Sequence, residues 1–416
     1  MLIIASVLSV SCEKGLEELN QNKTSPTSVN PVFTLNGAII NTSFPFKSLI
    51  FDIGIVQQMI TPNVGVLAGA NFNQDSRDVS ASPPIWAAYY QNVIKYTNDV
   101  MQNTKDVATR NNLYHMSRIF QAYAYMVLTD EYGDIPYSEA GKGYSDQFSL
   151  PKYETVQPIG NALNGSEAAN VYLAKPFVDY LKNTSDPRLS AIAIRYVGAT
   201  NGSGQTVAVG TKNAAQQIGM PMGKDNGTIV AQATADGLAS FYDYSQADRR
   251  RIIKATSPVF LVTAAQTNLL LAEARFRGWI STGTASQYFS DGVKAHMDQM
   301  ATYDAGSAIS AGERDAYVSA NPLAGGSELQ QINTQYWIAS FLNGPEAFAN
   351  FRRSGFPILT PNPYGQPSNP DVPNGTFIRR LTYPTSELSV NTTNVNAAIA
   401  EQGPDNLSTR VWWDKP

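Results

Sequence analysis

The sequence predicts an all-α fold of paired helices that carry long loop insertions. In three separate regions apolar residues recur at spacings of three and four, which is the period of a helix with one buried face. Two of these regions contain two such runs divided by a short break, a pattern that favours helical hairpins. Stretches rich in Gly, Asn, Thr and Pro separate the helical regions and predict loops.

The first helical pair occupies residues 84 to 131. Its first run, PPIWAAYYQNVIKYTNDVMQN, starts after Pro84, and its second covers residues 110 to 131. Because an α-helix has about 3.6 residues per turn, the apolar residues of each run fall on one face. These residues are Trp86, Tyr89, Tyr90, Val93 and Tyr96 in the first run and Leu113, Met116, Phe120, Tyr123 and Val127 in the second.

The second pair consists of VTAAQTNLLLAEARFRGWI and TASQYFSDGVKAHMDQMATY. Gly278 and Gly283 divide it, and a helix is expected to stop at each. Small Ala272 and Ala274, set among bulky neighbours, suit the close crossing of helices in tetratricopeptide-like repeats.

A third helical region runs from Ser327 to about Arg353, where Gly344 and Pro345 end one helix and begin the next. The residues expected to face the core are Leu329, Ile332, Tyr336, Phe341 and Phe348. Long loops are predicted over residues 196 to 228 and 357 to 393, and loops of such length usually carry function.

The N-terminal stretch MLIIASVLSVSC is apolar and ends at Cys12, the only cysteine of the chain. It is too short to span a bilayer. We interpret residues 1–11 as a lipoprotein signal peptide, cleaved so that Cys12 carries the lipid; a buried structural cysteine is the alternative. Residues 12–31 lack apolar periodicity after Leu19 and contain two prolines, so we expect a lipidated tether.

Charge and motif content argue against several classes of function. The net charge is −4 and no basic run exceeds Arg249-Arg250-Arg251, which we interpret as a solvated helix turn, so no nucleic-acid partner is expected. His115 and His296 lie in separate predicted helices without HExxH spacing. Phosphate-binding loops and G-x-S-x-G elbows are absent from the sequence. We therefore expect no cofactor, no catalytic metal and no catalytic nucleophile.

The segment TDEYGDIPYSEA, residues 129 to 140, raises the question of glycoside hydrolysis. A glycosidase needs two carboxyl groups about 5 to 10 Å apart, and Asp130, Glu131 and Asp134 are close in sequence. Catalytic pairs normally come from separate elements, so we favour a structural interpretation. In it, Asp130 and Glu131 form the exposed last turn of a helix that Gly133 ends, and Asp134 caps the next turn.

Residues 71 to 78, NFNQDSRD, place oxygen ligands at alternate positions as a calcium loop does. They lack the glycine and glutamate that an EF-hand requires, which leaves a looser calcium site, a polar turn or a sugar contact open. Sugars need aromatic faces together with amide or carboxylate groups, and loop aromatics are better candidates than those at helical spacing. The candidate ligand-binding residues are Asn71, Phe72, Arg77, Asp78, Tyr242 and Tyr244.

Several motifs together resemble the SusD/RagB-like outer-membrane lipoproteins of Bacteroidetes. They are YGDIPYSEA, LLLAEARFRGWI, LEELNQNKTSPTSV, PTSELSVN and above all INTQYWIASFLNGPEAFANFRRSGFPILTP. The resemblance implies a single SusD-like domain over residues 32–416, with tetratricopeptide-type hairpins and loops that form a glycan-binding face. It also favours packing over catalysis for Tyr132 and Tyr137.

The implied function is the capture of an oligosaccharide without cleavage. The implied partner is a SusC-like TonB-dependent transporter, over whose extracellular mouth the lipoprotein would form a lid. Cys12 would then hold the chain in the outer membrane, facing the extracellular side. A glycoside hydrolase, a peptide- or glycopeptide-binding lipoprotein of the same fold, and a structural lid without a ligand stay open as alternatives.

One stretch departs from the family pattern. After LPKYETV, relatives usually continue with further helical segments, whereas this chain passes almost directly from Val156 to QPIGNALNGSEA. We therefore expect part of the helical scaffold to be missing after about residue 156.

Overall fold

A computed structural model describes residues 29–43, 60–62, 82–138, 140, 171–224, 227–361 and 376–415. Helices dominate these residues, so the predicted all-α class is confirmed. The signal peptide, Cys12 and the departure after Val156 lie outside the described residues. The α-helices are α1 Pro31–Asn41, α2 Ser82–Ala88, α3 Lys95–Thr104, α4 Asn111–Tyr132, α5 Lys175–Asn183, α6 Arg188–Ile192, α7 Ile229–Ala235, α8 Ala264–Phe276, α9 Ala285–Tyr303, α10 Ala311–Ala320, α11 Glu328–Ala339, α12 Gly344–Ser354, α13 Thr385–Val390 and α14 Thr392–Gln402.

Short strands and tight helical turns complete the described secondary structure. The strands are β1 Ile60–Pro62, β2 Val171–Leu173, β3 Ala193–Tyr196, β4 Gly210–Thr211 and β5 Gln246–Ala247. The 3₁₀ turns are Ala108–Arg110, Gly202–Gly204, Val207–Val209, Ala214–Gln216, Phe241–Asp243 and Ala305–Ser307. β1 pairs antiparallel with β2, and β3 lies between β4 and β5, antiparallel to both.

The first predicted helical pair is present. α2 continues through a π-helical turn at Tyr89–Ile94 into α3, and α4 packs against this segment. The aromatic residues predicted for the first run are buried or half-buried. On α4 the buried stripe follows Ser117, Ala124 and Val127, which leaves Met116 42% exposed, so the predicted face was wrong at that position.

The second predicted pair forms the hairpin of α8 and α9. Gly278 has a φ of 76°, a left-handed conformation that ends the first helix as predicted. The helices cross closely at Gly292, where an added Cβ would lie 2.7 Å from Leu269 Cγ and 3.1 Å from the carbonyl oxygen of Ala265. A glycine therefore permits this crossing, beside the buried Ala272 that the sequence singled out.

The third helical region divides where predicted, because α11 ends before α12 begins at Gly344 with Pro345 in its first turn. α12 is tied to the second hairpin by Arg353, which donates to the two carboxylate oxygens of Glu273 at 2.7 and 2.8 Å. The predicted core residues Ile332 and Phe348 are 1% and 0% exposed. This bidentate pair and these apolar side chains fix α12 against its neighbours.

The arginine triplet is not a solvated helix turn, so that prediction was wrong. Arg251 is 8% exposed and follows β5 in a turn. Its guanidinium donates to the carbonyl oxygens of Ala191 and Ala193 at 2.8 and 2.9 Å and pairs with Asp248 at 2.6 Å. The sequence of three arginines gives no sign that backbone carbonyl oxygens from distant residues will accept hydrogen bonds from one of the three side chains.

The predicted loops are only partly correct. Residues 197 to 224 are irregular apart from short 3₁₀ turns and β4, as expected. The second predicted loop was wrong at its end, because α13 begins at Thr385 and α14 follows at Thr392. No helix among the described residues has both the length and the apolar character that crossing a membrane requires.

Candidate functional site

The predicted ligand residues Asn71, Phe72, Arg77 and Asp78 lie outside the described residues. Tyr242 lies in the 3₁₀ turn Phe241–Asp243, which the hydroxyl of Ser240 caps by accepting from the backbone N–H of Tyr242 at 3.0 Å. The half-buried ring of Tyr242 stacks on Phe241, with centroids 4.1 Å apart and an angle of 28° between planes. One face of the Tyr242 ring is therefore packed against Phe241.

Tyr244, only two residues further on, is directed into the core. Its exposure is 0% and it packs with Tyr172 and Met220. Its hydroxyl donates to Asp236 Oδ2 at 2.5 Å, and burial together with this bond raises the pKa of Tyr244. A ligand at this surface would meet Tyr242 rather than Tyr244.

An amide bonds to Tyr242, and two cationic groups lie near the ring of Tyr196, against whose cluster Tyr242 packs. Gln205 Nε2 donates to the carbonyl oxygen of Tyr242 at 3.0 Å, and Arg249 Nη2 donates to Gln205 Oε1 at 3.3 Å. The guanidinium carbons of Arg249 and Arg250 lie 5.8 and 6.0 Å from the ring centroid of Tyr196. We call Tyr242, Gln205, Arg249 and Arg250 the Tyr242 surface. It offers an aromatic ring, an amide and positive charge to a ligand.

The segment TDEYGDIPYSEA ends α4 as predicted. Gly133 has a φ of 83° and follows the last helical residue, Tyr132. The backbone N–H of Asp134 donates to Gln402 Oε1 at 3.2 Å. The predicted exposure of Asp130 and Glu131 was wrong, because Glu131 is 0% exposed and Asp130 is half-buried.

This burial governs the electrostatics of both carboxyl groups. Burial raises the pKa of Glu131 to about 8 and that of Asp130 to about 6, while the nearby Arg352 lowers both. Arg352 Nη1 donates to the carbonyl oxygen of Asp130 at 2.6 Å, and the guanidinium carbon lies 3.6 Å from the ring centroid of Phe348. Glu131 has no exposed surface with which to contact a substrate, so these carboxyl groups are not arranged around a sugar bond.

A cavity of about 590 Å³ lies between this segment and the helices α13 and α14. We call it the turn cavity. Residues from distant parts of the chain line it, and they include Tyr137, Ser138, Tyr383, Glu387, Asn391 and Asn394. Tyr137 was predicted to pack, yet it is 69% exposed. Its ring contacts that of Tyr125 in an edge arrangement, with ring centroids 4.7 Å apart.

Sequence reasoning missed three of these residues, Glu387, Asn391 and Asn394. They belong to a stretch that was largely interpreted as loop. The available signal was the motif PTSELSVN, which includes both Glu387 and Asn391. Its resemblance to the family gave no indication that it faces YGDIPYSEA across a cavity.

The described residues include no group of three or more His, Cys, Asp or Glu side chains that could hold a metal ion. The looser calcium site considered for residues 71 to 78 lies outside the described residues. His296, one of the two histidines, is buried next to Arg188, and burial with this positive charge lowers its pKa well below the usual range. It is part of the core rather than of an open site.

Two family models match the sequence. One, described as Susd and RagB outer membrane lipoprotein, matches residues 169–414, and one described as starch-binding associating with outer membrane matches residues 23–164. A comparison with curated proteins found no match.

Solved structures similar to this chain include a chitin-binding protein, with 22% identity, a TM-score of 0.74, and coverage of 93% of this chain and 100% of that one. A SusD-like protein from Bacteroidetes has 19% identity and a TM-score of 0.75, with coverage of 93% and 100%. A chitin-binding SusD homologue from Flavobacterium johnsoniae has 18% identity and a TM-score of 0.68, with coverage of 92% and 98%. At such identities the likeness shows the fold, which is SusD-like.

Proposed function

The chain belongs to the SusD-like family of outer-membrane lipoproteins, and from this premise we propose that it captures an oligosaccharide at the cell surface and delivers it to a SusC-like TonB-dependent transporter. The observation that carries the proposal is the family match over residues 169–414. Two of the similar structures are described as chitin-binding, which favours a glycan over other ligands. The proposed role is binding and transfer, with no bond broken.

The described surface has groups suited to a sugar. Tyr242 and Tyr137 present aromatic rings, and Gln205, Asn391 and Asn394 supply amides beside them. Asn71, Phe72, Arg77 and Asp78 remain proposed ligand contacts. Such mixed aromatic and polar surfaces fit the apolar faces and the hydroxyl groups of pyranose rings.

A glycoside hydrolase is the competing proposal, and the position of Glu131 disfavours it. Burial holds Glu131 away from solvent, and Asp130 shares its helical turn and its contact with Arg352. Hydrolysis needs two carboxyl groups that flank the scissile bond from opposite sides. A peptide or glycopeptide ligand for the same fold is the other alternative.

The glycan proposal is tested by isothermal titration of the full chain, purified in detergent, against plant, mucin and bacterial oligosaccharides. The titrated sugar is then separated by chromatography. We expect saturable binding and an unchanged sugar. Shortened products would support the hydrolase instead, and a chain that binds none of these sugars would contradict the glycan proposal.

The anchor and the partner are tested in the cells that make the protein. We expect Cys12→Ala to move the chain from the membrane fraction to the soluble fraction, because the lipid would be lost. We expect a TonB-dependent transporter to copurify with the wild-type chain in mild detergent. Unchanged membrane extraction of Cys12→Ala would contradict the lipid anchor, and recovery of the chain without any transporter would contradict the partnership.

A further inference from the structure

We propose that the turn cavity is a binding site for an uncharged oligosaccharide, an inference that rests on the proposed function for its ligand class. Its volume of about 590 Å³ lies within the range of about 300 to 1,000 Å³ typical of small-molecule sites. The cavity is separate from the Tyr242 surface, because none of the residues that define that surface lines it. The two sites therefore have separate linings.

The cavity has an aromatic face at its rim. Tyr137 is 69% exposed, and its ring lies against Tyr125 with centroids 4.7 Å apart and an angle of 65° between planes. A tyrosine that is already held by a neighbour loses little side-chain entropy when a ligand covers it. Deeper in, Trp86 and Tyr383 add buried aromatic surface, with ring centroids 6.1 Å apart. The apolar C–H face of a sugar ring fits such a surface.

In the same lining, a chain of hydrogen bonds orients three polar side chains. Asn394 Nδ2 donates to Asn391 Oδ1, and Asn391 Nδ2 donates to Glu387 Oε1, each at 2.6 Å. Each amide group has a second N–H, and the carboxylate has a second oxygen. Donors and acceptors therefore alternate along α13 and α14, as the hydroxyl groups of a saccharide require, since each hydroxyl both donates and accepts.

The charge of the lining selects against anions. Asp134 and Glu387 line the cavity, and no Lys or Arg is among the described lining residues. An acidic sugar such as a uronate would meet carboxylates without a compensating cation. The Tyr242 surface, with two arginines, has the opposite character. The two sites thus differ in the charge of the ligand that each would accept.

The wall opposite these helices is already formed. Tyr90 donates its hydroxyl proton to the carbonyl oxygen of Pro136 at 2.7 Å, and Tyr383 does the same for Asp134 at 2.7 Å. Gln402 Nε2 donates to the Tyr383 hydroxyl at 2.8 Å. Because these bonds fix the turn before a ligand arrives, binding need not pay to order it.

The experiment is titration calorimetry of the full chain, purified in detergent, with neutral and acidic probes. The neutral probes are cello-, malto-, xylo- and chito-oligosaccharides, and the acidic probe is an oligogalacturonate. The cavity variants are Tyr137→Ala and Asn391→Ala, and the matched control is Val390→Ala. Val390 is 82% exposed, lies next to Asn391 and does not line the cavity. Thermal unfolding of each variant checks that the fold is retained.

We expect wild type to bind a neutral probe and each cavity variant to weaken that binding by about tenfold or more, as loss of a ring contact or a hydrogen bond implies. Val390→Ala should bind as wild type does. If a neutral probe binds both cavity variants as tightly as it binds wild type, the inference is overturned and the proposed function still stands. Preference for the oligogalacturonate overturns the charge argument. If no sugar binds, the inference and the proposed function both fail.

Discussion

The buried carboxyl group of Glu131 makes the stability of the protein depend on pH in a defined direction. Its side chain is 0% exposed, and neither carboxylate oxygen has a hydrogen-bond partner among the described residues. Burial raises its pKa from 4.5 to about 8, so the folded state holds the proton more tightly than the unfolded chain. The contribution of Glu131 to the free energy of unfolding is therefore most favourable below its unfolded pKa and is lost as the pH rises through its folded pKa.

The size of this effect follows from the two pKa values. One pKa unit corresponds to about 1.4 kcal/mol. Relative to a side chain that does not ionise, Glu131 therefore lowers the free energy of unfolding by about 1 kcal/mol at pH 5 and by about 4 kcal/mol at pH 8. Gln has nearly the same shape and cannot ionise. Glu131→Gln should therefore become more stable than wild type as the pH rises, with the difference growing by about 3 kcal/mol between pH 5 and pH 8.

Chemical denaturation of both proteins at half-unit steps from pH 5 to pH 8 measures this difference. Glu401→Gln is the matched control, because Glu401 is exposed at the end of α14. We expect its difference from wild type to stay constant over the same range. A constant difference for Glu131→Gln as well would refute the assignment of a buried, protonated Glu131.

Three further substitutions test the packing by chemical denaturation at pH 7. Gly292→Ala should cost about 1 to 3 kcal/mol, because its Cβ would overlap Leu269. The same change at Gly312, where nothing lies within 4 Å of the added Cβ, should cost nothing. Equal effects of the two substitutions would contradict the close crossing of α8 and α9. Gly133→Ala should cost about 1 to 3 kcal/mol, because an alanine disfavours a φ of 83° and its Cβ would overlap Gln402 Oε1, and an unchanged midpoint would contradict that helix end. Glu273→Gln should cost about 1 to 3 kcal/mol, because it removes the negative charge that Arg277 and Arg353 share. Unchanged stability would mean that solvent screens both ion pairs.

The helical scaffold could be predicted from the sequence because its signals are local. Apolar spacing identified both hairpins, and Gly278, Gly344 and Pro345 marked helix ends through their own backbone preferences. The predictions that were wrong concern residues whose environment is set by tertiary contacts. Glu131 was expected in solvent, yet the last turn of α4 lies beneath residues more than 200 positions later, among them Arg352.

The candidate sites were less predictable because they combine distant segments. Tyr242 and Tyr244 have the same side chain and nearly the same sequence context, but the 3₁₀ turn leaves one half-exposed and buries the other. The turn cavity joins residues near 137 to residues near 391. Neither segment carries a periodic or charged signal that points to the other, so only the fold brings Tyr137 and Asn391 together.

Under the proposed function, sugar bound by this chain enters the cell through a partner transporter. Uptake of a radiolabelled oligosaccharide that the purified chain binds tests it directly, measured in cells with the wild-type gene, with the gene deleted, and with Cys12→Ala. We expect uptake to fall to the background in the deletion strain and to be strongly reduced when the chain is no longer anchored. Undiminished uptake in the deletion strain would contradict the proposed function.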